Sequence, residues 1–209
     1  MTTSVFELDS YTVLANPTGV LNLPSVGSEH PSLRHVGGFV VFGPDGQPVA
    51  YRDDSAPRLR PDFQVWGDDL KQERLLFIEP LEPGSRRSYR VSAGEAVIGE
   101  LQGPSKGGLL ARPWQLQGPG GEELAQLKDT SFGQRLRRGL GRAKHESLRI
   151  DASDSEPPVF LLRQEDPVRY MLRVMIPEDC KLDRRMILAS ALVVPAVEGF
   201  TDYLAGDTR

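Results

Sequence analysis

Arg135, Arg137, Arg138, Arg142 and Lys144 place five cations within ten residues, with no acid among them and with Leu136 and Leu140 interleaved. Such a run either forms a solvated loop or contacts a polyanion, such as the headgroups of an anionic membrane. It stands out because the whole chain carries a net charge of −4. Gly103-Pro104-Ser105-Lys106-Gly107 satisfies the letter of a G-x-S-x-G nucleophile elbow. That motif requires a helix immediately after the serine, whereas Gly107-Gly108 and a strand-like segment containing Trp114 follow here, so a turn between hairpins is expected. His30, His35 and His145 show no ligand spacing, and no G-x-x-x-x-G-K-[ST] phosphate cradle occurs. No carboxylate pair or nucleophile–base pair stands out, so a non-enzymatic protein without metal or cofactor is expected.

The elements that would carry these residues are mostly strands. The chain has 209 residues, 39% of them hydrophobic, which is enough for a real core and fits one domain over residues 1–209. Its 21 glycines and 17 prolines follow no short period, which points to many turns and hence to β structure. A single cysteine, Cys180, excludes an intramolecular disulfide framework and fits a reducing compartment, with the cytoplasm as the expected location. The N-terminal residues lack a basic region followed by an apolar one, so no secretion signal is expected. The longest apolar run, Met186 to Val197, is interrupted by Ser190 and Pro195 and is too short to span a bilayer.

An internal repeat organises the middle of the chain. Phe39 to Ala50 reads FVVFGPDGQPVA and Trp114 to Ala125 reads WQLQGPGGEELA, without a gap. Each predicts a hairpin: an aromatic strand, a Gly-Pro-x-Gly turn, and a return through Val49 or Leu124. Tyr89 to Leu101 reads as a third hairpin turning at Ala93-Gly94, and Tyr11 to Leu23 and Ser147 to Leu162 as further strand pairs. Residues 52–74 are rich in charge and proline and read as a loop insertion, with Phe63, Val65 and Trp66 in a short strand inside it. Residues 134–144 are a second irregular stretch, since Gly139 and Gly141 weaken a helix there. A short flexible tail is expected over 201–209.

Tyr170 to Ile176, YMLRVMI, has the length and apolarity of a strand buried on much of both faces, and Pro177 ends it. From Asp183 to Val194 the period becomes helical. Met186, Ile187, Ala189, Leu192 and Val193 form one stripe, and Leu188, Ala191 and Val194 fill the remaining faces. A helix apolar all round must be buried all round. In a β protein this favours closing the sheet around the helix over packing it on one sheet face.

Ile176 to Val194, IPEDCKLDRRMILASALVV, resembles the C-terminal signature of the phospholipid scramblases. There a strand ends at a proline, an aspartate follows two residues later, then basic residues, then an apolar segment with a central small-Ala pair. Ile176-Pro177, Asp179, Arg185 and Ser190-Ala191 occupy those places. The hairpins are similar to the repeated units of the LURP-one-related and tubby-like proteins. From about Gly38 to Val194, the resemblance implies a closed antiparallel barrel of about twelve strands around a buried C-terminal helix, in a superfamily associated with membrane lipids. The scramblases' acidic calcium-binding segment is not matched: Gln164 to Arg169 is acidic only at Glu165 and Asp166, too few oxygens for Ca²⁺. Their lipidated cysteine cluster is absent as well.

Three functions follow as expectations. The first is a scramblase-like or tubby-like domain, peripheral at the membrane, that binds anionic phospholipid through Arg135 to Lys144. The second is a protein-interaction module whose interface includes an exposed loop with Phe63 and Trp66. The third, nucleic-acid binding through the same cations, is disfavoured by the acidic net charge.

Overall fold

The computed structural model describes residues 4–16, 38–53, 63–68, 72–82, 87–104, 113–129, 147–152, 156–164 and 170–197. Among these residues, a 3-10 turn (Val5–Glu7), capped by Ser4, precedes twelve strands. In chain order these are β1 (Ser10–Asn16), β2 (Gly38–Phe42), β3 (Pro48–Asp53), β4 (Phe63–Trp66), β5 (Arg74–Pro80) and β6 (Ser88–Ala93). They continue with β7 (Ala96–Gln102), β8 (Trp114–Gln117), β9 (Glu123–Asp129), β10 (Ser147–Asp151), β11 (Val159–Gln164) and β12 (Tyr170–Met175). Each pairs antiparallel with its chain neighbours, and β1 pairs with β12, so the sheet closes into a barrel. Among the described strands, closure leaves none at an open edge.

Both copies of the repeat fold identically. In β2–β3, Gly43 N donates to Gln47 O at 2.8 Å and Gly46 N to Gly43 O at 3.0 Å. In β8–β9, Gly118 N donates to Glu122 O at 2.8 Å and Gly121 N to Gly118 O at 3.0 Å. Gly46 and Gly121 take φ of 77° and 82°, a region that side-chain-bearing residues enter at a cost. The register shifts at Val41/Phe42 in one hairpin and at Leu116/Gln117 in the other. The same shift recurs at Val65/Trp66 in β4–β5 and at Val91/Ser92 in β6–β7. Two residues before each aliphatic residue stands a buried aromatic: Phe39, Phe63, Tyr89 and Trp114. Aromatic, then aliphatic, then bulge is therefore the working unit of four successive hairpins, and each bulge bends and twists its strand toward closure.

The expected short strand within 52–74 is β4, and it sits between β3 and β5 in the barrel wall. This corrects the expectation of an exposed loop around Phe63. Alternation sends Phe63 and Val65 inward, where both are buried, and leaves Trp66 partly buried on the outside. Only the first arm of the expected Tyr11–Leu23 pair, β1, lies in the described residues. Ser147 to Leu162 forms the hairpin β10–β11 as expected.

The helix, α1 (Arg184–Val197), fills the barrel. Each residue from Met186 to Val194 is at most 1% exposed, so strands enclose every face of this segment. It begins after Asp183, one residue later than the period predicts. Asp183 acts as the cap, its Oδ1 accepting from Arg185 N at 2.9 Å and its carbonyl from Met186 N at 2.9 Å. The helix also continues past Val194, where the predicted stretch ends. Ser190 is held by a bond from its hydroxyl to Met186 O at 2.7 Å, satisfying a polar group in an apolar interior. The N-terminal segment is tied to the helix start: Arg184 Nη1 donates to Leu8 O at 2.5 Å, and its Nη2 lies 2.7 Å from Asp9 Oδ1. No helix among the described residues is long and apolar enough to cross a membrane.

Candidate functional site

The antiparallel order gives the two barrel ends different characters. Odd-numbered strands run away from the end where α1 starts, so the connections after β1, β3, β5, β7, β9 and β11 all leave from the end toward which α1 points. The starting end is closed by apolar residues, with Val5, Ile176 and Leu182 buried there. The far end receives the long connections.

Near that far end sits a residue that falls within the loop insertion expected over residues 52–74. Arg52, on β3, is 3% exposed. Alternation from Ala50 turns it inward, and its guanidinium carbon stands 3.7 Å from the Phe63 ring centroid and 4.7 Å from that of Phe39. Its Nη1 donates to Leu192 O at 3.2 Å. The two aromatic rings supply the electrostatic attraction that water otherwise provides. Leu192 lies in the C-terminal half of the helix, on the side of its partially negative end, which is the favourable side for a cation. Arg52 thus serves the barrel as a pin between wall and helix. The signal that could have found it is the alternation Ala50-Tyr51-Arg52 after a Pro-Asp-Gly turn, with an aromatic on each neighbouring strand.

The basic segment joins two strands at the same end. Arg135, Arg137, Arg138, Arg142 and Lys144 lie outside the described residues, as do the three histidines, Ser105 and the tail 201–209. The strands that flank the basic segment are described. β9 ends at Asp129 and β10 starts at Ser147, and the two pair at the far end through Leu148 and Asp129. One step in from there, Lys128 and Arg149 face each other across the outer wall. Both reach Asp151, Lys128 Nζ at 3.2 Å from Oδ2 and Arg149 Nε at 3.0 Å from Oδ1.

Gly103-Pro104 of the G-x-S-x-G sequence is described, and it is a strand exit. Gly103 N donates to Arg87 O at 2.5 Å, and Arg87 Nη1 donates to Pro104 O at 2.7 Å. The next described element is a strand, β8, so the segment lacks the strand–turn–helix context a nucleophile elbow needs. Among the described residues no three His, Cys, Asp or Glu side chains converge as metal ligands. The strongest polar cluster at the opposite end is Asp183 with Arg185, whose Nη2 lies 2.6 Å from Asp183 Oδ2. Partial burial pushes the Asp183 carboxyl up, but hydrogen bonds and charge from Arg185 outweigh it and hold the carboxyl below its usual range. The same bond raises the Arg185 guanidinium. This pair caps the helix and is part of the fold's framework.

No protein-family model matches the chain. No curated protein matches it either. Among solved structures, the chain is similar to a protein from Arabidopsis thaliana determined by X-ray crystallography. The TM-score is 0.53 at 9% identity, over 90% of this chain and 91% of that one. At that identity the likeness is one of fold, and it extends over nearly the whole of both chains.

Proposed function

We propose that this barrel is a non-enzymatic, peripheral membrane domain that binds anionic lipid headgroups through Arg135, Arg137, Arg138, Arg142 and Lys144. The observation that carries the reading is the placement of this cationic run in a chain of net charge −4: it connects two strands that meet at the barrel end receiving the long connections. The resemblance of Ile176 to Val194 to the scramblases supports the same class of ligand. The barrel interior is filled by an apolar helix, so a ligand of this domain would be met at its outer surface or its ends.

The magnitude is modest. At about 1 kcal/mol per basic residue near an anionic surface, five cations supply about 5 kcal/mol. That corresponds to a dissociation constant of roughly 0.1 to 1 mM, so binding is reversible and weakened by salt. Competition tests the ligand class: acidic vesicles should displace a duplex DNA probe from the protein at matched charge. Preference for the DNA would reassign the segment to nucleic acid.

A further inference from the structure

The barrel's outer wall treats its apolar residues in two ways. On β1, β2 and β3, Leu14, Val40, Phe42 and Tyr51 point away from the helix yet are buried. On β11 and β12, Phe160 and Met175 also point outward, but they are 39% and 41% exposed. These two are direct partners across the strand pair. Arg149 stands opposite Phe160 on β10, and Arg173 stands two residues before Met175 on the same face. Arg173 is exposed and makes no ion pair among the described residues. With Lys128 of β9 included, this face sets three cations against Asp151 and, further along β9, Glu123, which is bonded to Gln126 beside Asp151.

We infer that this wall of β10, β11 and β12 is the face that lies against an acidic lipid surface, with Phe160 and Met175 entering the headgroup layer and Arg173, Arg149 and Lys128 meeting phosphates. The inference rests on the proposed lipid reading and adds the side on which the barrel lies. An exposed aromatic and a methionine flanked by long cationic side chains match what an interface between water and acyl chains rewards: apolar area buried by about 5–10 Å, with charges held at headgroup level. Surplus positive charge selects an anionic surface. Continuity gives the second argument, because Lys128 and Arg149 lie one residue in from the first and last pairing position of the strands that the Arg135–Lys144 segment joins. A barrel resting on this wall would bring the basic segment's two attachment points to the same surface.

The test is cosedimentation with vesicles of phosphatidylcholine mixed with phosphatidylserine, comparing wild type with a Phe160→Ser/Met175→Ser double variant. Both residues are more than a third exposed and lie outside the barrel core, so the variant should still fold, with an unfolding midpoint lowered by the lost cross-strand pair, and bind about tenfold more weakly. A Phe160→Trp variant supplies a second readout: its emission, taken as a difference from wild type, should shift to the blue when acidic vesicles are added. Undiminished binding of the double variant, or no shift in the vesicle-bound Phe160→Trp protein, overturns the inference while leaving the lipid reading intact, and would fit a wall that docks a protein instead. Failure of the wild type itself to bind overturns both.

Discussion

Arg52 and Leu192, 140 residues apart in sequence, are joined by a hydrogen bond of 3.2 Å from guanidinium to backbone carbonyl across the barrel interior. One partner belongs to the wall and the other to the enclosed helix, and the rings of Phe39 and Phe63 flank the cation. The pair therefore joins the last element of the fold to strands formed near its beginning.

Replacing Arg52 with Met keeps most of the volume and removes the cation and its donors. Loss of the hydrogen bond and of the ring contacts should destabilise the protein by about 2–4 kcal/mol, read as a lower urea midpoint at unchanged slope. Arg52→Lys keeps the charge but cannot stack as a plane, so it should recover only part of the loss. Full recovery would mean that charge alone matters.

Gly99 lies beneath the helix. A Cβ there would stand 2.8 Å from Met186 Cε and closer still to the carbonyl oxygen of Gln117. Gly99→Ala should cost about 1–3 kcal/mol by overpacking. Shortening Met186 to Ala in the same chain should not restore stability, because the Gln117 carbonyl belongs to the wall and cannot retreat. Restoration to the wild-type midpoint would mean that Met186 alone makes the clash and that the Gln117 carbonyl stands further off.

The enclosed helix makes a stronger demand. Leu188→Asp or Ala191→Asp would put an unpaired carboxylate where both residues are now fully buried. That costs several kcal/mol against a total stability of about 5–15, so neither variant should fold at 25 °C. A native circular dichroism spectrum from either would put the helix on the surface.

The Asp183 carboxyl is held below its usual range, so its charge adds stability that is present above the ordinary carboxylate pKa and lost as pH falls through the depressed folded-state value. Asp183→Asn keeps a capping oxygen and removes the charge. It should lower stability at pH 7 by no more than about 1 kcal/mol, because the pair is partly solvent-screened. The difference from wild type should vanish in strong acid, and a difference that grows with acid would contradict this sign.

The parts of the fold legible in the sequence were those with strong local grammar. The paired Gly-Pro-x-Gly turns announced two hairpins, and a helix apolar on every face announced its own enclosure. β4 was only half visible: its four residues sit among prolines and charges, and their place in the wall depends on pairing with β3 and β5 rather than on local preference. Arg52 was hidden for a related reason, since a cation beside a proline-rich stretch reads as surface until its two flanking aromatics are brought together. Phe39, Phe63, Tyr89 and Trp114 carried the repeat in plain sight, but bulges and unequal connections blurred its period. The wall pair Phe160 and Met175 was invisible because their adjacency arises only from the β11–β12 register. The candidate lipid-binding cations were legible as a charge run, and they lie outside the described residues.

The central claim is that five cations between β9 and β10 bind an anionic membrane. The most direct measurement is cosedimentation of wild type and an Arg135/Arg137/Arg138→Ala variant, with neutral and acidic vesicles, at low and physiological salt. Wild type should pellet with acidic vesicles only, less at higher salt, and the variant should remain in the supernatant while unfolding at the wild-type midpoint. Equal binding by the two proteins, or none by wild type even at low salt, would contradict it.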